Sequence, residues 1–328
     1  MKAILLKDFG GPEMMYFGEA ELPEFGDDQV LIRVHATSVN RPDVIQRQGN
    51  YPPPPGDSFI LGLEAAGTIE AVGGNVSGWQ VGDRVFALVG GGGYAEFVSA
   101  WARHLVRIPD SMSFNEAACI CETYLTAYLT LFMLADMGEG ETVLLHGGGG
   151  GVNTAGIHLC RNLVKDCVII VTASSSKLER VADLGADHVV DYRKCEFPEE
   201  VKTLTSGRGA DVILDHIGAP YLAGNMKSLA VGGRLLQIGV TGGVKAELNL
   251  ALLMVKRQQI IGSVLRSRSI REKGEIIRSF TQRVMPLFEQ RLIVPLISEV
   301  LPLEEAAEGH RIMENSGHFG KIVLAVNP

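Results

Sequence analysis

At 328 residues, with a net charge of −8 and a pI near 5.6, the chain exceeds the usual single-domain size and reads by default as two domains. Hydrophobic residues make up 46%, enough to fill two cores, and no long basic block offers a surface to a nucleic-acid backbone. The apolar run within Met1–Asp8 is too short for a signal peptide, and the most apolar stretch, Ala127–Ala135, is far below the ~20 residues of a bilayer span, so a soluble, cytoplasmic protein without a membrane partner is expected.

The first 121 residues read as mostly β. Strands are expected over Lys2–Leu6, Gln29–Ala36, Ala65–Val72 and Arg84–Leu88, with turns at Gly10-Gly11-Pro12, Gly26-Asp27-Asp28, Gly73-Gly74-Asn75 and Gly82-Asp83. Tyr51-Pro52-Pro53-Pro54-Pro55-Gly56 must be an extended loop, because each proline fixes φ and disfavours helix before it. The cysteines, Cys119, Cys121, Cys160, Cys167 and Cys195, form no C-x-x-C pair and read as free thiols in a reducing compartment.

From Glu122 the pattern alternates helix and strand. Strands are expected near Val143, Val168, Val189, Val212, Leu235 and Ile260, and helices over Lys177–Leu184 and Tyr221–Ala230. Such alternation predicts a parallel sheet covered on both faces, with ligands beyond the carboxyl ends of its strands. After Ser263 come a helix over Glu272–Gln290, a short apolar run over Leu292–Ile297, a helix over Leu303–Met313 and a strand over Lys321–Val326.

The richest segment lies between Glu141 and Lys177. The apolar run Thr142–Leu145 leads to His146, then to glycines from Gly147 to Gly151, then to a helix through Leu163 and a second apolar run, Val168–Val171. Strand, glycine turn, helix, strand is the dinucleotide-binding unit. Glycines admit a pyrophosphate close to the backbone, and the helix N-terminus offers it N–H groups and positive dipole. Asn153 departs from the G-x-G-x-x-G pattern, and with the unbroken glycine run it is expected to loosen or reshape the turn. His146 reads as a structural polar group. The second strand ends in Thr172-Ala173-Ser174-Ser175-Ser176-Lys177, and its first carboxylate is Glu179. Hydroxyls and a cation suit a 2′-phosphate, so the expected cofactor is NADP(H).

Motifs along nearly the whole chain then carry a resemblance. Gly62-Leu63-Glu64-Ala65-Ala66-Gly67, Val81-Gly82-Asp83-Arg84-Val85, Gly93-Tyr94-Ala95-Glu96-Phe97-Val98, Leu125-Thr126-Ala127-Tyr128, Leu184-Gly185-Ala186-Asp187 and Gly320-Lys321-Ile322-Val323-Leu324 resemble the medium-chain dehydrogenase/reductase family. Asn40-Arg41-Pro42-Asp43, Gln46–Gly56 and Leu265-Arg266-Ser267-Arg268 resemble its zinc-free quinone oxidoreductases. The branch induced by a tumour suppressor in animals is the nearer likeness, the zeta-crystallin branch the more distant one.

The resemblance implies a fold of α/β class: a Rossmann doubly wound parallel sheet plus a mostly β GroES-like domain. It divides the chain into 1–121 (GroES-like catalytic domain, first part), 122–265 (NADP(H)-binding domain) and 266–328 (return to the catalytic domain). Zinc dehydrogenases of the family use Cys, His and Cys ligands, and the matching positions here hold Asn40, Leu63 and Glu122. The family's four-cysteine lobe is also missing, since Phe86 leads directly into Gly90-Gly91-Gly92-Gly93. No metal is expected. Without a Lewis acid to hold an alkoxide, an acceptor that takes hydride readily, a quinone or an enone, suits the site better than an alcohol.

The same resemblance implies the site. Asn40 and Tyr51 would line the substrate cleft between the domains and polarise the acceptor oxygen. Thr126 would lie near the pyrophosphate or nicotinamide, and Gly151, Val152, Asn153 and Thr154 would cradle the pyrophosphate. Ser175, Lys177 and Tyr192 would hold the 2′-phosphate. Gly239 and Val240 would pass the nicotinamide, Leu265 would close over it, and Ser316 would reach the adenosine phosphate. Other readings stand beside these: Asn40 as a turn-stabilising amide, Tyr51 packed on the proline run, and Arg266 in contact with substrate or paired with surface carboxylates. The expected function is an NADPH-dependent quinone oxidoreductase. The alternatives are an enone or enoyl reductase and a catalytically weak NADP(H)-binding structural protein. A homodimer is expected through the sheet edge of the nucleotide domain, with Lys245–Leu252 as the candidate edge segment.

Overall fold

The structure, a computed structural model, describes residues 1–326. Strands β1 (Lys2–Leu6) and β2 (Met15–Glu19) form an antiparallel pair. The long β3 (Gln29–Val39) alternates strictly at first: Val30, Ile32, Val34 and Ala36 are fully buried, while Gln29, Leu31, Arg33 and His35 are partly exposed. That period of two gives one face to the core. Helix α1 (Arg41–Arg47) follows, then β4 (Glu64–Val72), β5 (Arg84–Leu88), β6 (Phe97–Trp101), β7 (Leu105–Arg107), α2 (Phe114–Ala117) and α3 (Cys121–Tyr128). Among these, β2, β6 and β7 have no counterpart in the predicted strands.

Next come β8 (Thr142–His146), α4 (Gly151–Leu163), β9 (Val168–Ala173), α5 (Leu178–Asp183), β10 (His188–Asp191), α6 (Phe197–Leu204), β11 (Ala210–Asp215), α7 (Ala219–Ser228), β12 (Leu229–Gln237), α8 (Leu250–Val255) and β13 (Gln259–Gly262). The chain ends with α9 (Ile270–Glu289), β14 (Ile297–Pro302), α10 (Ala306–Glu314) and β15 (Lys321–Ala325). Ser269 starts α9 with a reciprocal cap: its side chain accepts from the Glu272 N–H, and Glu272 accepts from the Ser269 N–H. Ile276, Ile277, Phe280, Val284 and Phe288 then lay one buried stripe along the helix.

The chain divides into two compact units, Met1–Leu125 with Leu265–Pro328, and Thr126–Val264. In the first, the sheet order is β14-β15-β3-β4-β5-β7, with β6 also paired to β3. The last strand therefore lies beside β3 of the N-terminal part, Ile322 opposite Val39. In the second unit all strands are parallel, in the order β10-β9-β8-β11-β12-β13. Val143–Leu145, Ile169–Val171 and Val212–Leu214 are essentially inaccessible, as expected of strands covered on both faces.

Two predicted boundaries change. The helix expected over Tyr221–Ala230 stops at Ser228, because Leu229 and Ala230 already belong to a strand and are buried in the core. The expected edge segment Lys245–Leu252 is not a strand: it is loop up to Asn249, which caps α8 by accepting from the Leu252 N–H. The sheet ends at β10 and at β13, the latter paired to β12 alone among the described strands. No helix among the described residues is long and apolar enough to cross a membrane.

Candidate active site

In the parallel-sheet unit, His146 at the end of β8 pairs in register with Thr172 of β9, so the loops after both strands leave the same end of the sheet. Gly147 has φ +82, a conformation that side chains rarely adopt. A Cβ on Gly148 would lie 2.5 Å from the Val171 side chain, so the loop can pass the sheet only without one. The N–H groups of Gly147 and Gly148 donate to the Thr172 carbonyl at 3.0 and 2.9 Å, and that of Gly150 donates to the Gly147 carbonyl.

Gly149, Gly151 and Val152 donate to no backbone carbonyl among the described residues. Gly151 and Val152 open α4, where the helix dipole adds to an anion's attraction. Asn153 does not loosen this turn. Its buried amide nitrogen donates to the Gly147 carbonyl at 3.1 Å and ties the helix to the loop, while Asn153 Oδ1 is buried with no protein partner. The Thr154 hydroxyl donates back to the Gly151 carbonyl.

The loop is also held from below. The Asn225 amide donates to Asp215, His146 Nε2 donates to Asn225 Oδ1 at 2.7 Å, and His146 Nδ1 accepts from the Thr172 hydroxyl at 3.0 Å. The rings of Phe197 and Tyr221 enclose the imidazole. Burial pushes the His146 pKa down to about 3, so it is a neutral structural link and not a base.

After β9, Lys177 lies against the glycine loop: a Cβ on Gly149 would be 2.6 Å from its Cδ and 3.1 Å from its Nζ. Ser175 donates to Asp191 Oδ2 at 2.5 Å, a carboxylate that β10 brings beside the Ser175–Lys177 turn. That Ser175 bond, before all other causes, holds Asp191 below the usual carboxylate range. Linear reading missed this neighbour, since Asp191 is one strand further along. Tyr192 is exposed, with the Arg193 guanidinium 5.9 Å above its ring. Gly239 and Val240 follow the carboxyl end of β12, and Gln237 donates to the Gly239 carbonyl. The Thr126 carbonyl accepts from the Thr130 hydroxyl.

In the other unit, β3, β4, α3 and β15 converge on a buried polar cluster. Glu64 Oε1 accepts from Ser38 at 2.5 Å, from Asn40 at 2.8 Å and from Lys321 at 3.1 Å, and Glu64 Oε2 accepts from the Glu122 N–H at 3.0 Å. Lys321 also donates to Asn40 Oδ1 at 2.5 Å. Asn40 thus serves the Glu64–Lys321 pair first, and its second N–H reaches only the Ser38 carbonyl at 3.4 Å. Its backbone N–H donates to Asp43 at the start of α1. Burial pushes the Asp43 carboxyl up to about 6.

Arg266 pairs with no surface carboxylate among the described residues. Its guanidinium is buried and donates to the Gly90 carbonyl, the Tyr51 carbonyl and Gln46 Oε1. It also lies 5.0 Å above the Tyr51 ring, so Tyr51 packs under a cation. The Tyr51 hydroxyl has no hydrogen-bond partner among the described residues, and burial, with Glu122 adding, pushes its pKa up to about 12. Leu265 is buried, and its carbonyl accepts from the Arg268 N–H. Ser316 is exposed in the turn after α10, at φ +54.

Zinc does not fit this cluster. Leu63 is a buried aliphatic side chain, the Asn40 oxygen is taken by Lys321, and no group of three His, Cys, Asp or Glu among the described residues could hold a metal. A dinucleotide fits the glycine loop, where unclaimed N–H groups, a helix N-terminus and Lys177 meet.

A doubly wound parallel sheet with a glycine turn after its first strand, joined to a sheet-rich unit with a polar cluster, defines a dinucleotide-dependent oxidoreductase. Comparison with known proteins agrees. The alcohol dehydrogenase GroES-like domain matches residues 26–110, and the zinc-binding dehydrogenase family matches residues 184–324. Rat (Rattus norvegicus) quinone oxidoreductase is 33% identical over 99% of this chain and 97% of its own. An NAD-dependent alcohol dehydrogenase structure shares 33% identity at a TM-score of 0.88, each chain covered fully. A mycobacterial structure complexed with NADPH shares 28% at a TM-score of 0.89, over 99% of this chain and 100% of that one. The chain belongs to the medium-chain dehydrogenase/reductase family, as a quinone oxidoreductase-like member.

Proposed function

We propose that this protein is an NADPH-dependent quinone oxidoreductase that works without metal. The observation that carries the reading is the cluster around Glu64: its side chains are an amide, an aliphatic group, a lysine and carboxyls, with Lys321 already occupying the polar positions a metal would need. Such a site does not stabilise an alkoxide, so an acceptor that takes hydride without a Lewis acid suits it.

NADPH, when bound, supplies the hydride. Gly149, Gly151 and Val152 would hold the pyrophosphate through their N–H groups, with Asn153 and Thr154 bracing the turn. Lys177 supports the 2′-phosphate assignment by its charge, and Tyr192 by its exposed side chain. Ser175 contributes through Asp191 as much as directly, because its proton is already given to that carboxylate. Thr126, Gly239, Val240 and Leu265 are proposed to line the nicotinamide end, and Ser316 the adenosine phosphate. Tyr51 is the acceptor-facing hydroxyl in this reading, and Asn40 contributes an N–H that is only loosely held by the Ser38 carbonyl. The rat quinone oxidoreductase supports the acceptor class, and the NADPH-bound mycobacterial structure supports the cofactor.

A panel of quinones and enones with NADPH and NADH tests the proposal. Quinone-dependent NADPH oxidation is the expected result. Saturated product from enones alone would make the protein an enone reductase, and tight NADPH binding without turnover would make it a binding protein. We further propose a homodimer through β13, where Ile260 on the open sheet edge and nearby Val264 are exposed. A purely monomeric mass at micromolar concentration in light scattering would overturn it.

A further inference from the structure

We propose that Glu122 is the general acid that delivers a proton to the acceptor oxygen as hydride arrives. The inference rests on the oxidoreductase reading above and adds the group that neutralises the oxygen.

The geometry isolates Glu122 among its neighbours. The neighbouring carboxylates and cations Glu64, Asp43, Lys321 and Arg266 are all committed. Glu64 accepts from Ser38, Asn40, Lys321 and the Glu122 N–H. Asp43 accepts from the Asn40 N–H, the Gly62 N–H and the Tyr94 hydroxyl. Lys321 donates to Glu64, Asn40 and the Val39 carbonyl, and Arg266 to Gly90, Tyr51 and Gln46. The Glu122 backbone is pinned by Glu64, yet its carboxyl makes no hydrogen bond or ion pair among the described residues. It also keeps part of its surface accessible, unlike Glu64 and Asp43, which are fully buried.

The surroundings set its protonation state. The protein displaces most of the water from the carboxyl, and this desolvation pushes its pKa up to about 8. Glu64 and Asp43 push the same way, and Lys321 and Arg266 oppose them. Lys273 on α9, the Tyr51 ring and the neighbouring Cys121 thiol also lie within its field. Near neutral pH the group therefore holds a proton and can release it, the condition for an efficient acid.

The step balances. Hydride brings both electrons and one hydrogen to the acceptor, leaving a quinone as the hydroquinone monoanion or an enone as its enolate. The Glu122 O–H bond breaks with its electron pair left on the carboxylate, and the proton forms an O–H bond on the acceptor oxygen. The products are oxidised cofactor and hydroquinone or enol, and a proton from water restores Glu122.

The test compares the full-length protein with Glu122→Gln and Glu122→Asp. Infrared difference spectra between the unmodified protein and Glu122→Gln read the carboxyl directly, without turnover. A protonated carboxyl band at pH 7 that titrates away near pH 8 is expected, and an ionised Glu122 at pH 7 overturns the proposal. In steady state, kcat with a benzoquinone should fall as pH rises through the same midpoint. Glu122→Gln should lower kcat about a hundredfold or more and lose that alkaline limb, with NADPH affinity unchanged, and Glu122→Asp should restore part of both. Unmodified protein that turns over quinone, with Glu122→Gln equal to it in kcat and pH profile, overturns the role of Glu122 alone. Unmodified protein that binds NADPH and reduces neither quinone nor enone overturns the oxidoreductase reading and this inference with it.

Discussion

Lys321 Nζ lies 3.1 Å from Glu64 Oε1, with both side chains almost entirely buried, and the two residues stand 257 positions apart in the chain. Asn40 bridges them, giving its N–H to one and its oxygen to the other. Removing the cation leaves a carboxylate without compensation in the core, which typically costs about 3–5 kcal/mol. Lys321→Met should lose on the order of that amount in urea unfolding, and the double variant Lys321→Met, Glu64→Gln should recover most of it. A single variant within about 1 kcal/mol of the unmodified protein would show that the pair is not a structural unit.

The glycine loop leaves no room for a side chain at Gly148, where a Cβ would meet Val171 at 2.5 Å and Val181 at 3.0 Å. Gly148→Ala should lower stability by about 1–3 kcal/mol and weaken nucleotide binding at least about tenfold, because the loop must lift off the sheet. Trimming the obstacle with Val171→Ala in the same chain should restore part of the binding. Calorimetric titration with NADPH reads both effects.

Lys177 is the charge placed at the glycine loop. A charge-assisted bond to a 2′-phosphate contributes on the order of 1.5–3 kcal/mol, or about ten- to a hundredfold in affinity. Lys177→Ala should weaken NADPH by that factor and leave NADH nearly unchanged, followed by nicotinamide fluorescence. Equal losses for both cofactors would assign Lys177 to the pyrophosphate instead. Asp191→Asn probes the opposite sign: removing the negative charge beside Ser175 should widen the preference for NADPH, and a narrowed preference would show that Asp191 serves mainly to orient that hydroxyl.

Acid should destabilise the fold through its buried histidines. Desolvation pushes His146 and His310 down to about 3 and His104 to about 4. Their folded-state values lie below the unfolded one, so the unfolded chain takes up protons first as pH falls below about 6.5. Each histidine then costs on the order of 2 kcal/mol by pH 5. Asp43, up at about 6, and Glu122, up at about 8, work in the opposite direction, since their folded forms hold protons more tightly. The informative quantity is therefore a difference. His146→Gln should show a shallower loss of stability between pH 6.5 and 4.5 than the unmodified protein in urea titrations, and parallel curves would refute the assignment.

Arg266 positions Tyr51 through one backbone bond and one ring face. Arg266→Lys keeps the charge and loses the planar fork that reaches Gly90, Tyr51 and Gln46 together. A raised KM for quinone, with NADPH affinity kept, is the expected outcome in steady-state kinetics. An unchanged KM would detach Arg266 from the acceptor site.

The parallel sheet was legible from the chain alone. Its strands are buried on both faces and so read as unbroken apolar runs, and the glycine turn between Thr142–His146 and Gly151–Leu163 sits where backbone geometry demands it. The change from short alternating strands to helix–strand alternation is read at residue 122, and the compact units divide between Leu125 and Thr126. What the chain alone left open were the groups whose meaning depends on neighbours far away in sequence. Asp191 became a partner of Ser175 only when β10 paired with β9, and Lys245–Leu252, expected as an edge, became a loop leading into a capped helix while Gln259–Gly262 formed an edge strand. Asn40, at the junction of β3 and α1, and Glu64, Glu122 and Lys321, on three separate elements, are ordinary polar residues. Their ionic states and free valences arise only where β3, β4, α3 and β15 close water out, because desolvation and pairing are properties of an enclosure and not of a residue.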